Sequence, residues 1–347
     1  MRTKISLIFL TLAISVSFIC MGGALASEQK TLNWKCVVAY PKTDPVVTLM
    51  QKDFCDVVEK ESKGRLKIRL YSAGELMSPS ESLDACSKGI IQMESSVGAY
   101  WQGKDPLWIF DWGVPFTSRD NREMFNIMDH GLRDILVELF DKYNLHYLAP
   151  AGYGHHLLFL KKPVRQLSDF KGMKLRGIGP VADMLNELGA ATVFITGSEL
   201  YSALQLGTID GAGWSNGAWE EMHWDEVVKY VMFPPIMSNY GHIAVNKNAW
   251  ASLPDDLKCI VKSCAERYGE TCDRKRIASQ RRVYGKLVRE QPERVLVLPA
   301  EEVAKMRDVA KNVWTGLSKK SPKCAEAMKI IEDYLKEHPG MCYEYPH

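Results

Sequence analysis

The residues best suited to chemistry stand where short apolar runs of the sequence end. Arg176 closes the run 173–176, and Trp214 closes the run 209–214. Both runs predict strands, and ligands in open α/β sheets collect at the carboxyl ends of strands. Because a guanidinium binds a carboxylate through two parallel hydrogen bonds, we expect Arg176 to hold an organic acid.

Two motifs of common enzyme classes are missing from the sequence, which contains no phosphate-binding P-loop and no HExxH zinc motif. Glu220 and Glu221 are adjacent, so on a helix they point in different directions and make a poor acid–base pair. Residues 177–182 fit the dinucleotide pattern GxGxxA, but this turn lies in mid-chain, and the start of the chain, described below, predicts export to a compartment with little nicotinamide cofactor. We therefore expect neither an enzyme nor a cofactor.

Histidines supply further candidates for a binding pocket. His155 and His156 are adjacent in a predicted strand, so at most one of them lines a given pocket, and we select His156. His242 lies in a predicted strand near a crossing between two lobes. A metal role for either member of the adjacent pair is the weaker interpretation, and we expect no metal site.

The composition is that of a soluble globular protein. Of the 347 residues, 46% are hydrophobic and 25% are charged, and the length suits about two domains. The formal net charge of +2 gives no strong field to recruit nucleic acid or an acidic membrane. Selectivity for an anion must therefore be local to a pocket.

The first 26 residues have the pattern of a secretory signal peptide. A basic start precedes an apolar run, and an Ala-Leu-Ala site predicts cleavage after Ala26. The run is short for a membrane anchor. A lipoprotein would use Cys20, but Ile19 stands where a small residue is needed before the cysteine. We expect an exported protein of the periplasm.

Export changes the interpretation of the cysteines. Removing Cys20 leaves eight of the nine in the mature chain. An even number in an oxidising compartment permits up to four disulfides, and the absence of any CxxC pair argues against zinc. We expect structural disulfides or buried thiols. A candidate pairing joins the tail, through Cys324 or Cys342, to the predicted helix that carries residues 259–272.

Apolar periodicity predicts alternating strands and helices along the chain. Strands are predicted at 31–39, 66–71, 91–97, 146–160 with a break at 153–156, 173–176, 192–196, 209–214, 237–245 and 295–298. Helices are predicted at 46–62, 78–88, 119–143, 181–188, 198–207, 255–291 and 300–337, the last with a break near 321–322. The β-α-β-α-β order at the start is typical of a doubly wound sheet.

Several segments together resemble the solute-binding proteins of tripartite ATP-independent periplasmic (TRAP) transporters. In the order expected for that family they are residues 72–76, 83–89, 170–176 and, above all, 199–211 (ELYSALQLGTIDG). Residues 100–101 and the region of Trp214 are similar to the branch that binds 2-oxo acids and related carboxylates.

The resemblance implies an α/β fold of the two-lobed periplasmic binding protein type. Each lobe would be a sheet flanked by helices, with crossover strands and a long helix spanning both lobes. We expect lobe I to hold residues 27–155 with about 241–290, and lobe II to hold residues 156–240 with about 291–347.

The resemblance also assigns roles to residues. Arg176 matches the family's carboxylate-binding arginine, and Trp214 matches its pocket aromatic. The other candidates, from the family match or from their place in the sequence, are Tyr100, Tyr153, His156, Asn216, Trp219 and His242. In the 2-oxo-acid branch the position before the tryptophan can be a glutamate that helps to hold a cation. Here it is Gly213, which argues against a metal and leaves room for a larger or aromatic acid.

The expected function follows from the resemblance and from Arg176. The protein would capture a 2-oxo, 2-hydroxy or aromatic carboxylate in the cleft between the lobes and deliver it to the membrane permease subunits of a transporter. Two alternatives stay open: an exported enzyme acting on a small acid, and a sensor subunit of the same fold. The long predicted helix after residue 255 permits a homodimer without requiring one.

Overall fold

The computed structural model describes residues 31–338, apart from the side chain of Asn216. The predicted signal peptide and Cys342 lie outside these described residues. None of the helices between residues 31 and 338 is both long enough and apolar enough to span a bilayer.

Strands of the described range form one mixed sheet. They are β1 (Leu32–Val38), β2 (Leu66–Tyr71), β3 (Met93–Ser96), β4 (Leu145–Leu160), β5 (Lys174–Arg176), β6 (Ala191–Val193), β7 (Gly211–Ser215), β8 (Tyr230–Asn246) and β9 (Val295–Val297). Their order in the sheet is β2-β1-β3-β8-β4-β7-β5-β6, and β9 pairs with β8. Strands β1 to β3 run parallel to one another, as do β5 to β7. The long antiparallel strands β4 and β8 join these two sets.

Helices flank the sheet and connect its strands. They are α1 (Pro45–Met50), α2 (Asp56–Glu61), α3 (Pro79–Ser87), α4 (Asn121–Ile127), α5 (Arg133–Lys142), α6 (Gly179–Glu187), α7 (Leu200–Gln205), α8 (Lys247–Ala251), α9 (Asp255–Glu290), α10 (Ala300–Ser318) and α11 (Pro322–Glu337). Single π-helical turns continue α1 into α2 and α4 into α5. The 36-residue α9 packs along β4, and it also contacts α1 and α2, which follow β1, and the short segment 216–218, which follows β7.

Local sequence explains where several helices begin. Asp44 precedes α1 and its side chain accepts a hydrogen bond from the N–H of Val46. Ser321 precedes α11 and accepts in the same way from Cys324. Each of these caps is followed by proline, which costs nothing in the first turn because its missing N–H would have no partner there. The break predicted near residues 321–322 is the boundary between α10 and α11.

The largest differences from the predicted elements concern the two long strands. Strand β4 is continuous where a break was predicted at 153–156, because a shift in its register with β8, between Gly152 and His155, absorbs the irregular residues. Strand β8 begins at Tyr230 rather than near residue 237. Prolines at 234 and 235 argue against a strand in the sequence, since proline lacks the N–H of a ladder, yet this part pairs with both β4 and β9.

Among residues 31–338 the cysteines are free thiols and form no disulfide. Six of these seven are buried, and Cys259 is exposed. The predicted link from Cys324 to the helix of residues 259–272 is therefore not made, and the partner alternative, Cys342, is outside the described range. Buried thiols pack as small apolar groups, and burial raises the pKa of Cys55 and Cys272, to about 12 for Cys272.

The predicted fold class, an α/β sheet flanked by helices and divided between two lobes, is confirmed. One lobe is built on the parallel strands β1 to β3 and the other on β5 to β7, and β4 and β8 belong to both. The residue boundaries predicted for the two lobes stay a prediction.

Candidate functional site

A small cavity lies where strands of both lobes end. Tyr40 follows β1 and Val97 follows β3, while Arg176 ends β5 and Ser215 ends β7. The residues that line the cavity are Ala39, Tyr40, Val97, Tyr100, Trp112, His156, Arg176, Ile178, Trp214, Ser215 and Asn239. The position agrees with the rule that α/β sheets bind ligands at the carboxyl ends of their strands.

The cavity is narrow in this arrangement of the lobes. It encloses about 20 Å³, and one water molecule needs about 10–15 Å³ in the same measure. An organic acid of several non-hydrogen atoms therefore requires its walls to move apart. Those walls come from different lobes, so separating the lobes is the direct way to open it.

Arg176 is the one charged side chain among the lining residues. Its side chain is 2% exposed. The Nε–H group donates to the carbonyl oxygen of Ile195 at 3.2 Å, and Nη1 donates to that of Gly213 at 3.1 Å. Among the described residues no carboxylate forms an ion pair with this guanidinium, and burial lowers the pKa of Arg176. The positive charge is buried without an anion from the described part of the chain.

Aromatic side chains complete the surroundings of the guanidinium. Arg176 Cζ lies 4.9 Å from the centroid of the Trp214 ring, a cation–π distance. Tyr100, from the other lobe, hydrogen-bonds the guanidinium; burial raises the pKa of Tyr100, and the Arg176 charge opposes that rise. These contacts orient the guanidinium but do not neutralise it.

A buried ion pair holds the Trp214 ring in place from behind. Trp214 Nε1 donates to Asp44 Oδ2 at 3.2 Å, and Asp44 Oδ1 pairs with Arg276 Nη1 at 3.2 Å. Arg276, on α9, also donates to Ser215 Oγ at 2.7 Å and to the carbonyl of Tyr153 at 3.3 Å. One lobe therefore contributes the carboxylate, the other lobe the indole, and the spanning helix the second guanidinium.

His156 lines the cavity as a neutral imidazole. It is 2% exposed, and its Nδ1 has no hydrogen-bond partner among the described residues. Burial lowers the pKa of His156 to about 3, and the neighbouring Arg176 charge acts in the same direction. The Trp112 ring stands edge-on to it, with the ring centroids 5.4 Å apart.

Asn239, on the adjacent strand β8, presents a second unpaired polar group. It is 3% exposed, and its Oδ1 has no partner among the described residues. Its backbone carbonyl accepts from Asn121 Nδ2 at 3.0 Å. Buried polar groups without partners are rare, and two of them line the cavity that holds Arg176.

Three predicted site residues, Tyr153, Trp219 and His242, do not line the cavity. Tyr153 is buried in the core and its hydroxyl hydrogen-bonds Ser95 Oγ at 2.9 Å. Trp219 carries the Arg294 guanidinium on its ring face, 4.4 Å from the centroid. The structure places both aromatics behind the site, as packing.

His242 belongs to a separate buried cluster in the first lobe. Its Nδ1 hydrogen-bonds Asp111 Oδ2 at 2.5 Å, and its Nε2 lies 3.3 Å from Glu94 Oε1. Ser82 Oγ donates to the other oxygen of Glu94 at 2.7 Å. Burial opposes the charged imidazole, but Asp111 and then Glu94 overcome it and raise the pKa of His242 to about 9. The side chains of all three ionisable partners are fully buried, and none of them lines the cavity that holds Arg176.

The structure thus brings Arg176, Trp214, Tyr100 and His156 together as predicted. The backbone of Asn216 begins a short 3₁₀ segment directly after β7, and its side chain lies outside the described part. Sequence reasoning missed the lining residues Tyr40 and Asn239. Tyr40 follows the first strand, so the strand-end rule that selected Arg176 would also have selected it. Nothing in the local sequence distinguishes Asn239 from other strand residues.

Comparison with known proteins gives a consistent result. The profile of bacterial extracellular solute-binding proteins, family 7, matches residues 37–320. A monocarboxylate 2-oxoacid-binding periplasmic protein of Nostoc is 25% identical over 241 residues, which are 67% of this chain. The chain spans 65% of the length of that relative.

Solved structures share the fold. A TRAP periplasmic solute-binding protein from Chromohalobacter salexigens, with bound 2-amino-1-propanol, has a TM-score of 0.82 and 21% identity, covering 90% of this chain and 100% of that one. A TRAP solute-binding protein from Bordetella bronchiseptica, with copurified calcium and picolinate, has a TM-score of 0.81 and 22% identity, covering 90% and 94%. With the family profile matched over most of its length, this chain belongs to the bacterial extracellular solute-binding proteins of family 7.

Proposed function

We propose that this protein is the ligand-binding component of a TRAP-type transporter and that it captures an organic acid through Arg176. The observation that carries the proposal is the buried guanidinium without a carboxylate partner among the described residues. Burying a charge without an opposite charge is costly. A carboxylate ligand supplies the missing charge, and the fork of N–H groups matches its two oxygens.

Binding is coupled to closure of the lobes. Tyr100 and Tyr40 reach the cavity from one lobe, while Arg176 and Trp214 reach it from the other. A ligand that contacts both walls binds the closed arrangement better than the open one, and so shifts the population toward it. The closed form is then the state that docks on the permease subunits and releases the acid unaltered.

Relatives support the class of ligand and the location. The Nostoc relative is named for binding 2-oxoacids in the periplasm, and the fold neighbours are TRAP solute-binding proteins. We extend these properties to this chain, with export directed by residues 1–26 and cleavage after Ala26. We likewise propose that its partner is the membrane permease of a TRAP-type transporter.

The test is a thermal-shift screen of organic acids followed by calorimetry on Arg176→Ala. Removing one partner of a buried charge pair leaves the ligand carboxylate unpaired, so affinity should fall by about 3–5 kcal/mol. Lys174→Ala is the matched control, because Lys174 is the exposed cation at the start of the same strand. The affinity of Lys174→Ala for the acid should equal that of the unmodified protein.

Undiminished affinity in Arg176→Ala would remove Arg176 from the site. The same experiment separates binding from catalysis, since the bound acid can be recovered and its mass measured after long incubation. An unchanged mass fits a transport receptor. A product would instead support the exported enzyme.

A further inference from the structure

We infer that the ligand is a small 2-hydroxy monocarboxylate bound without a metal ion, its hydroxyl held between His156 and Asn239. The inference rests on the proposed role of Arg176, which takes the carboxylate. It specifies the second polar group of the ligand as a hydroxyl. It also states that no cation accompanies the ligand, unlike in a fold neighbour, the Bordetella bronchiseptica protein with calcium and picolinate.

The residues of the cavity do not fit a metal ion. Calcium takes 6–8 oxygen ligands, usually with carboxylates among them. The eleven lining residues include one guanidinium and no carboxylate. Asp44, behind Trp214, is already paired with Arg276. A cation in the cavity would face the Arg176 charge, with only the ligand to offset the repulsion.

The space next to Gly213 is taken by His156. A Cβ atom at Gly213 would lie 2.5 Å from His156 Nε2 and 3.3 Å from its Cδ2, so a side chain there would have to displace the imidazole. The two residues sit on the paired strands β4 and β7, where His156 is opposite Ser215 and Leu158 opposite Gly213. The room expected from the missing side chain is therefore filled. The imidazole stands where a residue at 213 would otherwise place a ligand group for a cation.

A neutral imidazole suits a hydroxyl group. The titratable groups that line the cavity with it are Arg176, Tyr40 and Tyr100, and the pKa of His156 near 3 keeps the ring uncharged at neutral pH. One ring nitrogen then donates and the other accepts. Its unpaired Nδ1 can bond a hydroxyl in either tautomer.

Asn239 separates a hydroxyl from a keto group. The unpaired Oδ1 is an acceptor, so only a donor on the ligand satisfies it. A 2-oxo oxygen accepts but cannot donate, and an unsubstituted acid offers nothing. A 2-hydroxyl can donate to Asn239 and also bond to His156, which pairs both orphaned atoms at once.

The test compares three acids that share a three-carbon skeleton: lactate as both enantiomers, pyruvate and propionate. Calorimetry is run on the unmodified protein with EDTA and again with added calcium. We expect one lactate enantiomer to bind about tenfold or more tighter than propionate, as for sites built to pair a hydroxyl. Pyruvate should fall between them, and neither EDTA nor calcium should change the order. These measurements do not depend on any variant folding.

Variants then assign the hydroxyl contact. His156→Leu and Asn239→Leu should each lower lactate affinity about tenfold and leave propionate within about threefold. His155→Leu is the control, because His155 is the adjacent residue of β4 but bonds to Gln280 and to the Arg119 carbonyl instead. Calcium-dependent binding, pyruvate tighter than lactate, or equal binding of lactate and propionate would overturn the inference. If Arg176→Ala still abolishes binding of these acids, the proposed function survives that result.

Discussion

Two arginines in this protein are equally buried and differently paired. Arg176 and Arg276 are each 2% exposed, and both lie within contact of the region around Trp214. Arg276 pairs with Asp44 at 3.2 Å. Arg176 has backbone carbonyls and aromatic rings around it but no carboxylate among the described residues.

The pKa values of the two guanidinium groups shift in opposite directions. Burial lowers the pKa of Arg176. For Arg276 burial acts in the same direction, but Asp44 outweighs it and the pKa is raised. His242 belongs with Arg276, because Asp111 and Glu94 compensate its charge from within the fold. A cation that the fold neutralises is structural, and a cation that the fold leaves for another molecule to neutralise marks the binding site.

The largest effect should come from removing the carboxylate that compensates Arg276. Asp44→Asn keeps a side chain able to cap α1 but removes the carboxylate that pairs with the buried Arg276 guanidinium, so the free energy of unfolding should fall by about 3–5 kcal/mol. The control is Asp53→Asn, which breaks a more exposed ion pair. Asp53 pairs with Lys275, the neighbour of Arg276 on α9. Chemical denaturation should show a loss within about 1 kcal/mol for the control. Equal losses in the two variants would mean that Arg276 is not compensated by Asp44.

The next effect is the pH dependence that His242 gives to stability. Its folded pKa of about 9 is above the ordinary value of 6.5. Its contribution is therefore fully present below pH 6.5 and is lost as pH rises through 9, and it is on the order of 3 kcal/mol. His242→Gln should remove that slope from denaturation curves measured between pH 6.5 and 9.

The control for this pH series is His146→Gln. Burial lowers the pKa of His146, so its titration acts mainly below pH 6.5 and contributes little in that window. If the pH dependence of the free energy of unfolding persists unchanged in His242→Gln, another group is responsible for it.

The smallest effect, with the opposite sign, should appear at Arg176. Without ligand, Arg176→Met removes an uncompensated buried charge, so the free energy of unfolding should rise by about 1–2 kcal/mol. The gain is limited because the carbonyls of Ile195 and Gly213 lose their donor. Lys174→Met on the same strand should stay within about 0.5 kcal/mol. A clear loss of stability in Arg176→Met would put Arg176 in the same structural class as Arg276.

The sequence determined most of the elements and four of the eleven residues that line the cavity. Alternation predicted β2 to the residue, the predicted helix 255–291 matches α9 within one residue, and the break predicted near residues 321–322 marks the start of α11. The rule that ligands meet strand ends selected Arg176 and Trp214, because a strand end is a local property that the sequence itself displays.

Tertiary structure alone decided which polar residues share a space. His156 and His242 both lie in strands, and the sequence does not distinguish them. In the structure His156 faces the Arg176 guanidinium, whereas His242 faces the carboxylates of Asp111 and Glu94. The pairing of β4 with β8 sets His156 near Asn239, and the packing of α9 sets Arg276 on Asp44, 232 residues apart in the chain. Charge compensation depends on distances of a few ångströms between segments remote in sequence, and no local pattern carries that information.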